Sequence, residues 1–494
     1  MNAPKKILTG FFYTLGSGYA VRLLSFVLTL LIKNALGLEI LDRMVPVLLV
    51  FILLSNLHHF GMVQALLHFQ DDSAAFIRTH FALNALIEFS GFLLTCGAAL
   101  ALAYWYPAKF AWMVWLVCLF AVFRLLRNMA MTSEGLLRRD FEYGRLSLFH
   151  GLGTVLALSF ALAAAWSGWG HWSLVLGGWS ANSVYAPVYV LFFTGAVWCS
   201  RRISLRPLRL DWGWVRRIMR FGVWFWLGWV LQTFVWHYDK LILFLMYHEG
   251  IENRVLNLYD HAWWLVQVPT GLITHILFSY TNALYSRYQK DRQRLGEFFA
   301  KMLGLVVRVS APLAMICLFN AHAIVVLTAP QWVEAAPILV WLGLYAFLRP
   351  LADEGLSLLW ALGKTRQSTR IMGVQAGVAL ILVPLAARAW GVQGVAYSMG
   401  VIGALGVCGL ALTIGRLVKV PWRRVFVAPI CALGAMGGVG AFYEYWAMDV
   451  VWADFILRSG LMGIVYAGAL LLLEFQAIKA SVTQVKRILA EPKK

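Results

Sequence analysis

Long apolar runs separated by short charged connections make up almost the whole chain. A helix needs about 20 residues to cross roughly 30 Å of hydrocarbon, and these runs are that long. Strands of a membrane barrel would instead alternate over roughly ten residues, whereas Leu23 to Ile32 is apolar without such alternation, apart from Ser25 and Thr29. The pattern predicts an all-α polytopic membrane protein with about fourteen transmembrane helices. The predicted spans 1 to 14 have their cores at 10–32, 44–66, 81–104, 110–132, 147–166, 172–194, 221–247, 255–281, 302–327, 333–360, 368–390, 392–415, 424–446 and 454–476.

Two pairs of spans are separated only by glycine-rich turns. Gly168-Trp169-Gly170 divides spans 5 and 6, and Gly391-Val392-Gln393-Gly394 divides spans 11 and 12. Glycine allows the backbone conformations that a tight reversal needs. We therefore predict two helices on either side of each turn.

The basic residues are distributed unevenly among the connections. Of the 42 Lys and Arg, 30 lie in alternate connections and the two termini, 5 lie in the intervening connections, and 7 lie inside spans. Cytoplasmic connections carry the excess of Lys and Arg, so both termini are predicted to face the cytoplasm across the cytoplasmic (inner) membrane. The net charge of +19 is scattered over short connections, which argues against a nucleic-acid partner.

Several enzyme classes lack their residues here. Gly363-Lys364-Thr365 has Leu358 where a phosphate-binding loop needs glycine, and His248-Glu249 has no second His at helical spacing. The six cysteines form no CxxC pair, so neither disulfides nor a metal site is predicted. We expect no cofactor and no enzymatic activity. The one outer acidic pair that would suit a membrane glycosyltransferase or polymerase is Glu39 with Asp42, for which solvation of the loop is the favoured role.

Ionisable residues inside spans are costly and mark a pathway or an ion pair. Arg22 lies about 18 Å into span 1, close to the midplane, which favours an anion contact in a cavity over a buried ion pair. Glu88 on span 3 has a depth similar to that of Arg124 and Arg127 on span 4. A structural ion pair is therefore predicted for Glu88, with a substrate role for the arginines as the alternative.

Further intramembrane charges lie in predicted spans 7, 8 and 10. Candidates for a gate or for ion coupling are Asp239, Asp260, Arg349, Asp353 and Glu354, with Lys240 as a further cavity candidate. Arg349 and Asp353 are one turn apart and are predicted to pair, which leaves Glu354 without an obvious local partner.

Two further arginines are assigned by their depth. Arg308 is expected to extend its guanidinium towards the membrane surface, and Arg458 to pair with Asp454.

Four segments of the chain carry a family resemblance. They begin with Phe60-Gly61-Met62-Val63-Gln64, Leu136-Leu137-Arg138-Arg139-Asp140, Asp239-Lys240-Leu241-Ile242, and Ala329-Pro330-Gln331-Trp332-Val333, the last followed by Leu362-Gly363-Lys364. Together they resemble the polysaccharide transporter family, the oligosaccharide flippases of a superfamily that also includes multidrug extruders and the flippase of the lipid-linked peptidoglycan precursor.

The resemblance implies two pseudo-symmetric six-helix bundles around a central cavity, plus two C-terminal helices. The expected domains are an N-terminal lobe at 1–198, a basic cytoplasmic linker at 199–220, a C-terminal lobe at 221–416, and a final segment at 417–494. The implied activity is alternating-access export of a lipid-linked oligosaccharide for O-antigen, capsule or exopolysaccharide synthesis. The partners implied are that glycolipid, membrane lipids, a polysaccharide polymerase with export machinery, and H⁺ or Na⁺ as coupling ion.

The diphosphate of such a glycolipid needs cationic contacts. Arg22 is the first candidate and Lys240 the second, with Arg124 or Arg127 at the inner entrance. Two alternatives remain open at this point. A multidrug or small-cation antiporter would favour carboxylates and aromatic side chains in its cavity, and a glycosyltransferase or polymerase would place Glu39 and Asp42 in a deep outer pocket.

Overall fold

The structure is a computed structural model, and it describes residues 20–490 apart from 22, 37, 59, 70, 108–110, 141, 179–183, 201–209, 247–252, 290, 447 and 449. Helices account for nearly all of the described chain. In chain order they are α1 Leu23–Leu36, α2 Leu38–Asn56, α3 Met62–Phe69, α4 Ala74–Trp105, α5 Val114–Met129, α6 Met131–Arg139, α7 Tyr143–Trp166, α8 His171–Gly177, α9 Pro187–Ser200, α10 Trp212–Met246, α11 Asn253–Tyr288, α12 Arg292–Phe319, α13 Ala321–Thr328, α14 Ala336–Ala361, α15 Thr365–Leu417, α16 Trp422–Tyr443 and α17 Val451–Ala490. Short 3-10 turns at Pro330–Ala335 and Glu444–Trp446 precede α14 and follow α16.

The predicted all-α polytopic membrane fold is confirmed. Eight continuous helical segments among the described residues are long and apolar enough to cross a membrane, and the bent pair α5 and α6 adds a ninth. Every one of the fourteen predicted cores overlaps a helix. The 53 residues of α15 contain both span 11 and span 12. The backbone leaves helical geometry between them, at Trp390 and at Gly391, which has φ +58°.

Some predicted spans are broken where the apolar pattern showed no interruption. Span 2 is divided between α2 and α3 at Gly61, whose φ is +64°. A Cβ at Gly61 would lie 2.5 Å from Cγ of Phe225, so both the conformation and the space require glycine. Span 6 is divided between α8 and α9, and Pro187 occupies the first position of α9, where its missing N–H costs no hydrogen bond.

Local side chains define several helix starts. Ser73 precedes α4, and its hydroxyl accepts a hydrogen bond from the Phe76 N–H at 3.2 Å. Asp291 does the same for α12 by accepting from the Arg294 N–H at 3.1 Å. These caps satisfy N–H groups that have no partner within the helix. Both caps lie in connections predicted to be polar.

The described residues form two compact units. The first contains the residues up to Leu241 together with Leu359–Ala376, and the second contains Ile242–Leu358 and the chain from Gly377 onward. In the first unit, buried side chains of α6, α7 and α9 pack around the stacked rings of Tyr189 and Phe193, whose centroids are 5.2 Å apart. In the second unit, Met436 of α16 and Met462 of α17 form the centre of a cluster against α12.

Apolar side chains also cover an exposed face of α4. Leu86, Phe89, Leu93 and Leu100 recur at helical spacing and are all exposed. An exposed apolar stripe of this length is expected where a helix faces lipid. The interior of α4 carries polar groups instead, which positions the site described below.

Gly177 provides a test of the packing in the first unit. A Cβ added there would lie 2.6 Å from the Ala161 nitrogen, because α8 passes close to α7. We expect Gly177→Ala to destabilise the protein by about 1–3 kcal/mol through overpacking. Gly97→Ala on α4 is the matched control, since nothing lies within 4 Å of its Cβ position and alanine favours the helix. Relative to the intact protein, the midpoint of thermal unfolding should fall in Gly177→Ala and stay equal or rise in Gly97→Ala. Equal midpoints for the two purified variants would contradict the close approach of α8 to α7.

Candidate functional site

A buried carboxylate and a buried guanidinium form the centre of the polar site in the first unit. Arg124 Nη1 of α5 lies 3.3 Å from Glu88 Oε2 of α4, and the two side chains are 6% and 3% exposed. Asn128 Nδ2 donates to the same Glu88 oxygen at 2.9 Å. His58 Nε2 contacts Arg124 and lies 3.8 Å from Glu88 Oε2. The predicted contact between Glu88 and span 4 is therefore present, while its role stays a prediction.

Helical spacing places these groups on facing sides. Arg124 and Asn128 are one turn apart on α5, so both side chains face α4. Asn84, one turn before Glu88, donates through Nδ2 to the Asn128 carbonyl at 2.9 Å. One turn earlier again, His80 Nε2 donates to the Met62 carbonyl at 2.7 Å. The result is a continuous line of buried polar groups along the interior face of α4.

Arg127 does not join Glu88. Its Nη2 lies 2.8 Å from Glu134 Oε2 on α6, and Arg138 Nη2 contacts the other Glu134 oxygen at 2.6 Å. The guanidinium of Arg127 also lies 4.3 Å from the centroid of the Phe193 ring, which is a cation–π distance. Glu134 was not among the predicted site residues. The one sequence signal that could have indicated it is the i, i+4 spacing of Glu134 and Arg138.

The neighbours Asp239 and Lys240 are both buried on α10. The backbone N–H of Lys240 donates to Asp239 Oδ1 at 2.7 Å. Lys240 is thus a buried cation within a predicted span, as a cavity residue would have to be. Its contact with a substrate stays a prediction.

In the second unit, Glu354 has partners that were not predicted. The Tyr285 hydroxyl donates to Glu354 Oε1, and the Thr281 hydroxyl donates to Oε2 at 3.2 Å. Glu354 was predicted to lack an obvious local partner, and both of these hydroxyl groups come from α11, which packs against α14, and not from its own helix. The predicted contact of Arg349 with Asp353 is present at 3.8 Å, and Asp260 is half-buried on α11.

The other two assigned arginines also have carboxylate partners. Arg308 contacts the Glu474 carboxylate, with Nε donating to Oε2 at 2.8 Å, and its Nη2 donates to the Arg424 carbonyl at 3.3 Å, while its extension towards the surface stays a prediction. The expected pairing of Arg458 with Asp454 was wrong, because Arg458 lies 3.4 Å from Glu444 and donates to the Gly440 carbonyl at 3.0 Å, whereas Asp454 accepts from the Met448 N–H. In both cases the partner comes from a neighbouring helix or turn that spacing within one helix cannot indicate.

Arg22 lies outside the described residues, as do the side chains of Glu39 and Asp42. The structure therefore tests neither the first phosphate candidate nor the outer acidic pair. Among the described residues, no group of three or more His, Cys, Asp or Glu side chains is placed to hold a metal ion.

Comparison with models of protein families shows to which family the chain belongs. Residues 43–337 match the model of a family described as "Polysaccharide biosynthesis protein", which is more than half of the 494 residues. The chain belongs to this family. A search of curated proteins finds no match in sequence. The resemblance inferred from the four sequence segments is thus confirmed at the level of the family.

Solved structures show which fold this polysaccharide biosynthesis protein shares. It is similar to the lipid II flippase MurJ in an inward closed conformation, with a TM-score of 0.56, 13% identity, and coverage of 96% of this chain and 99% of that one. A point mutant of the Vibrio cholerae MATE transporter VcmN gives a TM-score of 0.63 at 12% identity, covering 83% and 96% of the two chains.

A MOP superfamily transporter from Pyrococcus furiosus gives a TM-score of 0.63 at 16% identity, covering 84% and 96% of the two chains. Identities this low establish the fold alone. The fold is therefore one shared by a lipid II flippase, a MATE transporter and another MOP superfamily transporter.

The buried cluster predicts a large effect of removing one charge. Glu88→Ala leaves Arg124 buried without its carboxylate, which should cost about 3–5 kcal/mol of stability and reduce the amount of folded protein. Asp72→Ala is the matched control, because Asp72 pairs with Arg139 but is 89% exposed, and its loss should cost at most about 1 kcal/mol. Thermal unfolding in detergent measures both. Similar losses for the two variants would argue against a structural role of the Glu88 pair.

Proposed function

We propose that this protein is a flippase that moves a polyprenyl diphosphate-linked oligosaccharide across the cytoplasmic membrane by alternating access. The product would supply synthesis of O-antigen, capsule or exopolysaccharide. The observation that carries the proposal is the combination of a polysaccharide biosynthesis family with the helical fold of a lipid flippase. A membrane protein of that family with that fold is suited to moving the glycan precursor, and we propose transport in place of catalysis.

The proposed substrate contacts are cationic because a diphosphate carries its charge into a poorly solvated space. Lys240 is buried on α10 and supplies an ammonium group there. Arg22, which the sequence predicts to lie near the midplane of span 1, would add a forked guanidinium that suits phosphate oxygens. Arg124 and Arg127 already contact Glu88 and Glu134, so a phosphate at the inner entrance would have to compete with those carboxylates.

The orientation proposed for this transport has both termini in the cytoplasm, as the distribution of Lys and Arg favours. The glycolipid then enters from the inner leaflet, where it is assembled. A polymerase and export machinery on the outer side would consume it. These partners are inferred from the resemblance to polysaccharide transporters, and co-purification tests them.

Deleting the gene tests the proposal directly. Undecaprenyl-linked oligosaccharide should accumulate on the inner leaflet, and surface polysaccharide should be lost. Complementation with the intact gene is the control. Intact surface glycan with no accumulated intermediate would refute the flippase, and efflux of cationic drugs from proteoliposomes would favour the multidrug antiporter instead.

Single-residue variants locate the substrate contact. Arg22→Ala and Lys240→Ala should each lower export at least about tenfold while leaving membrane abundance unchanged, since one charge-assisted contact to phosphate is lost. Arg254→Ala is the control, because Arg254 forms an exposed pair with Glu334 at 2.9 Å. Surface glycan and membrane protein are quantified in the same cells. Normal export by a variant removes that residue from the proposed site.

We further propose Glu354 as the residue that binds the coupling ion. Its carboxylate is buried, and the contacts described above come from neutral hydroxyl groups, with the Ser357 hydroxyl 3.3 Å from that of Thr281. Oxygen ligands of this kind suit H⁺ or Na⁺. Glu354→Gln should abolish the dependence of transport on an imposed ion gradient, whereas exposed Glu297→Gln on α12 should not. Flipping in proteoliposomes under H⁺ or Na⁺ gradients distinguishes the two ions, and unchanged coupling in Glu354→Gln would contradict the assignment.

A further inference from the structure

The start of α10 carries a hollow lined by both arginine and apolar side chains. The hollow has a volume of about 650 Å³ and is lined by Arg216, Met219, Arg220, Val223 and Trp224. Met219 and Arg220 are three and four residues after Arg216, and Val223 and Trp224 are three and four residues after Arg220, so the five form one face of the helix. All five belong to the first unit described above.

A third arginine reaches this face from α15. The Arg366 guanidinium lies 5.2 Å from the centroid of the Trp224 ring. The two helices are joined at this level, because the Thr369 hydroxyl donates to the Trp224 carbonyl at 2.6 Å. Arg366 is thus held beside the hollow by a contact between α10 and α15.

The three arginines have no carboxylate counterion among the described residues. Asp211 is the acidic residue nearest along the chain to Arg216 and Arg220. Its Oδ1 accepts from the N–H groups of Gly213 at 2.8 Å and Trp214 at 3.2 Å. The segment 201–209 contains no Asp or Glu. Like charges one helical turn apart destabilise a helix, so Arg216 and Arg220 would be stabilised by a bound anion.

The same face also carries apolar side chains. Met219, Val223 and Trp224 alternate with the two arginines along it, and Val223 and Trp224 are exposed. A ligand that contacts both kinds of side chain has an anionic head and a hydrocarbon chain. Tryptophan is typical of the boundary between headgroups and acyl chains, and arginine binds phosphate through paired N–H groups.

We propose that this face is a binding site for an anionic phospholipid. Its phosphate would lie among Arg216, Arg220 and Arg366, and one acyl chain would follow Met219 and Val223. A phospholipid fits better than a soluble anion because half of the hollow is apolar. The arginines lie on the predicted cytoplasmic side, where anionic lipids are enriched. The proposal does not depend on the proposed transport function.

Native mass spectrometry of the full-length protein in detergent tests the site with phosphatidylglycerol and phosphatidylcholine as probes. The intact protein should retain phosphatidylglycerol preferentially. The triple variant Arg216→Gln, Arg220→Gln, Arg366→Gln should retain at least about tenfold less of it, because three headgroup contacts are lost, with phosphatidylcholine unchanged. The triple Arg416→Gln, Arg423→Gln, Arg424→Gln removes the same charge from exposed positions of the second unit and should behave as the intact protein.

Folding is checked by thermal unfolding in phosphatidylcholine. If the first triple variant fails to fold, the single exposed variant Arg366→Gln serves in its place and should still weaken phosphatidylglycerol retention severalfold. Equal loss in both triple variants, or no preference for phosphatidylglycerol, would overturn the proposal. Displacement of the lipid by inorganic phosphate alone would assign the site to a free anion, and preferential displacement by a polyprenyl diphosphate would assign it to the transport substrate. Either displacement would also overturn the phospholipid assignment.

Discussion

Neutralising charge inside membrane-spanning helices is the constraint on which this structure depends. A charged side chain at that depth is stable only if another group in the protein compensates it. Arg124 is compensated by Glu88 from a neighbouring helix, and Arg308 by Glu474. Glu354 is held by hydroxyl groups. Each solution requires two helices to meet at one level, so charge pairing and helix packing constrain each other.

The bend between α5 and α6 shows how the backbone serves this pairing. Arg127 and Glu134 are seven residues apart, which in a straight helix separates them by about 10 Å along the axis. The two helices are instead bent by 41°, and the side chains meet at 2.8 Å. The contact between half-buried Arg127 and Glu134 therefore lies across the bend at the end of span 4. Gly61 marks the break between α2 and α3, where a side chain would meet Phe225.

Much of the fold could be predicted because its signals are local. The length of the apolar runs predicted a helix at each of the fourteen cores. The two glycine-rich turns were also predicted, and Gly168, Gly170 and Gly391 within them have positive φ. The candidate site was less predictable. Arg349 and Asp353 could be paired from their spacing, whereas Glu474 as the partner of Arg308 is 166 residues distant. Glu134 was missed because its importance depends on the bend.

The sequence by itself determined that this is a helical membrane protein of the polysaccharide biosynthesis family, since hydrophobic run length and local motifs need no partner to be read. It also supplied the list of charges that lipid cannot solvate. Only the tertiary structure decided which of those charges meet, that Arg127 turns to Glu134, and that Tyr285 and Thr281 hold Glu354. The physical reason is that compensation of a buried charge acts over a few ångströms in space, between helices whose relative level and rotation are set by packing.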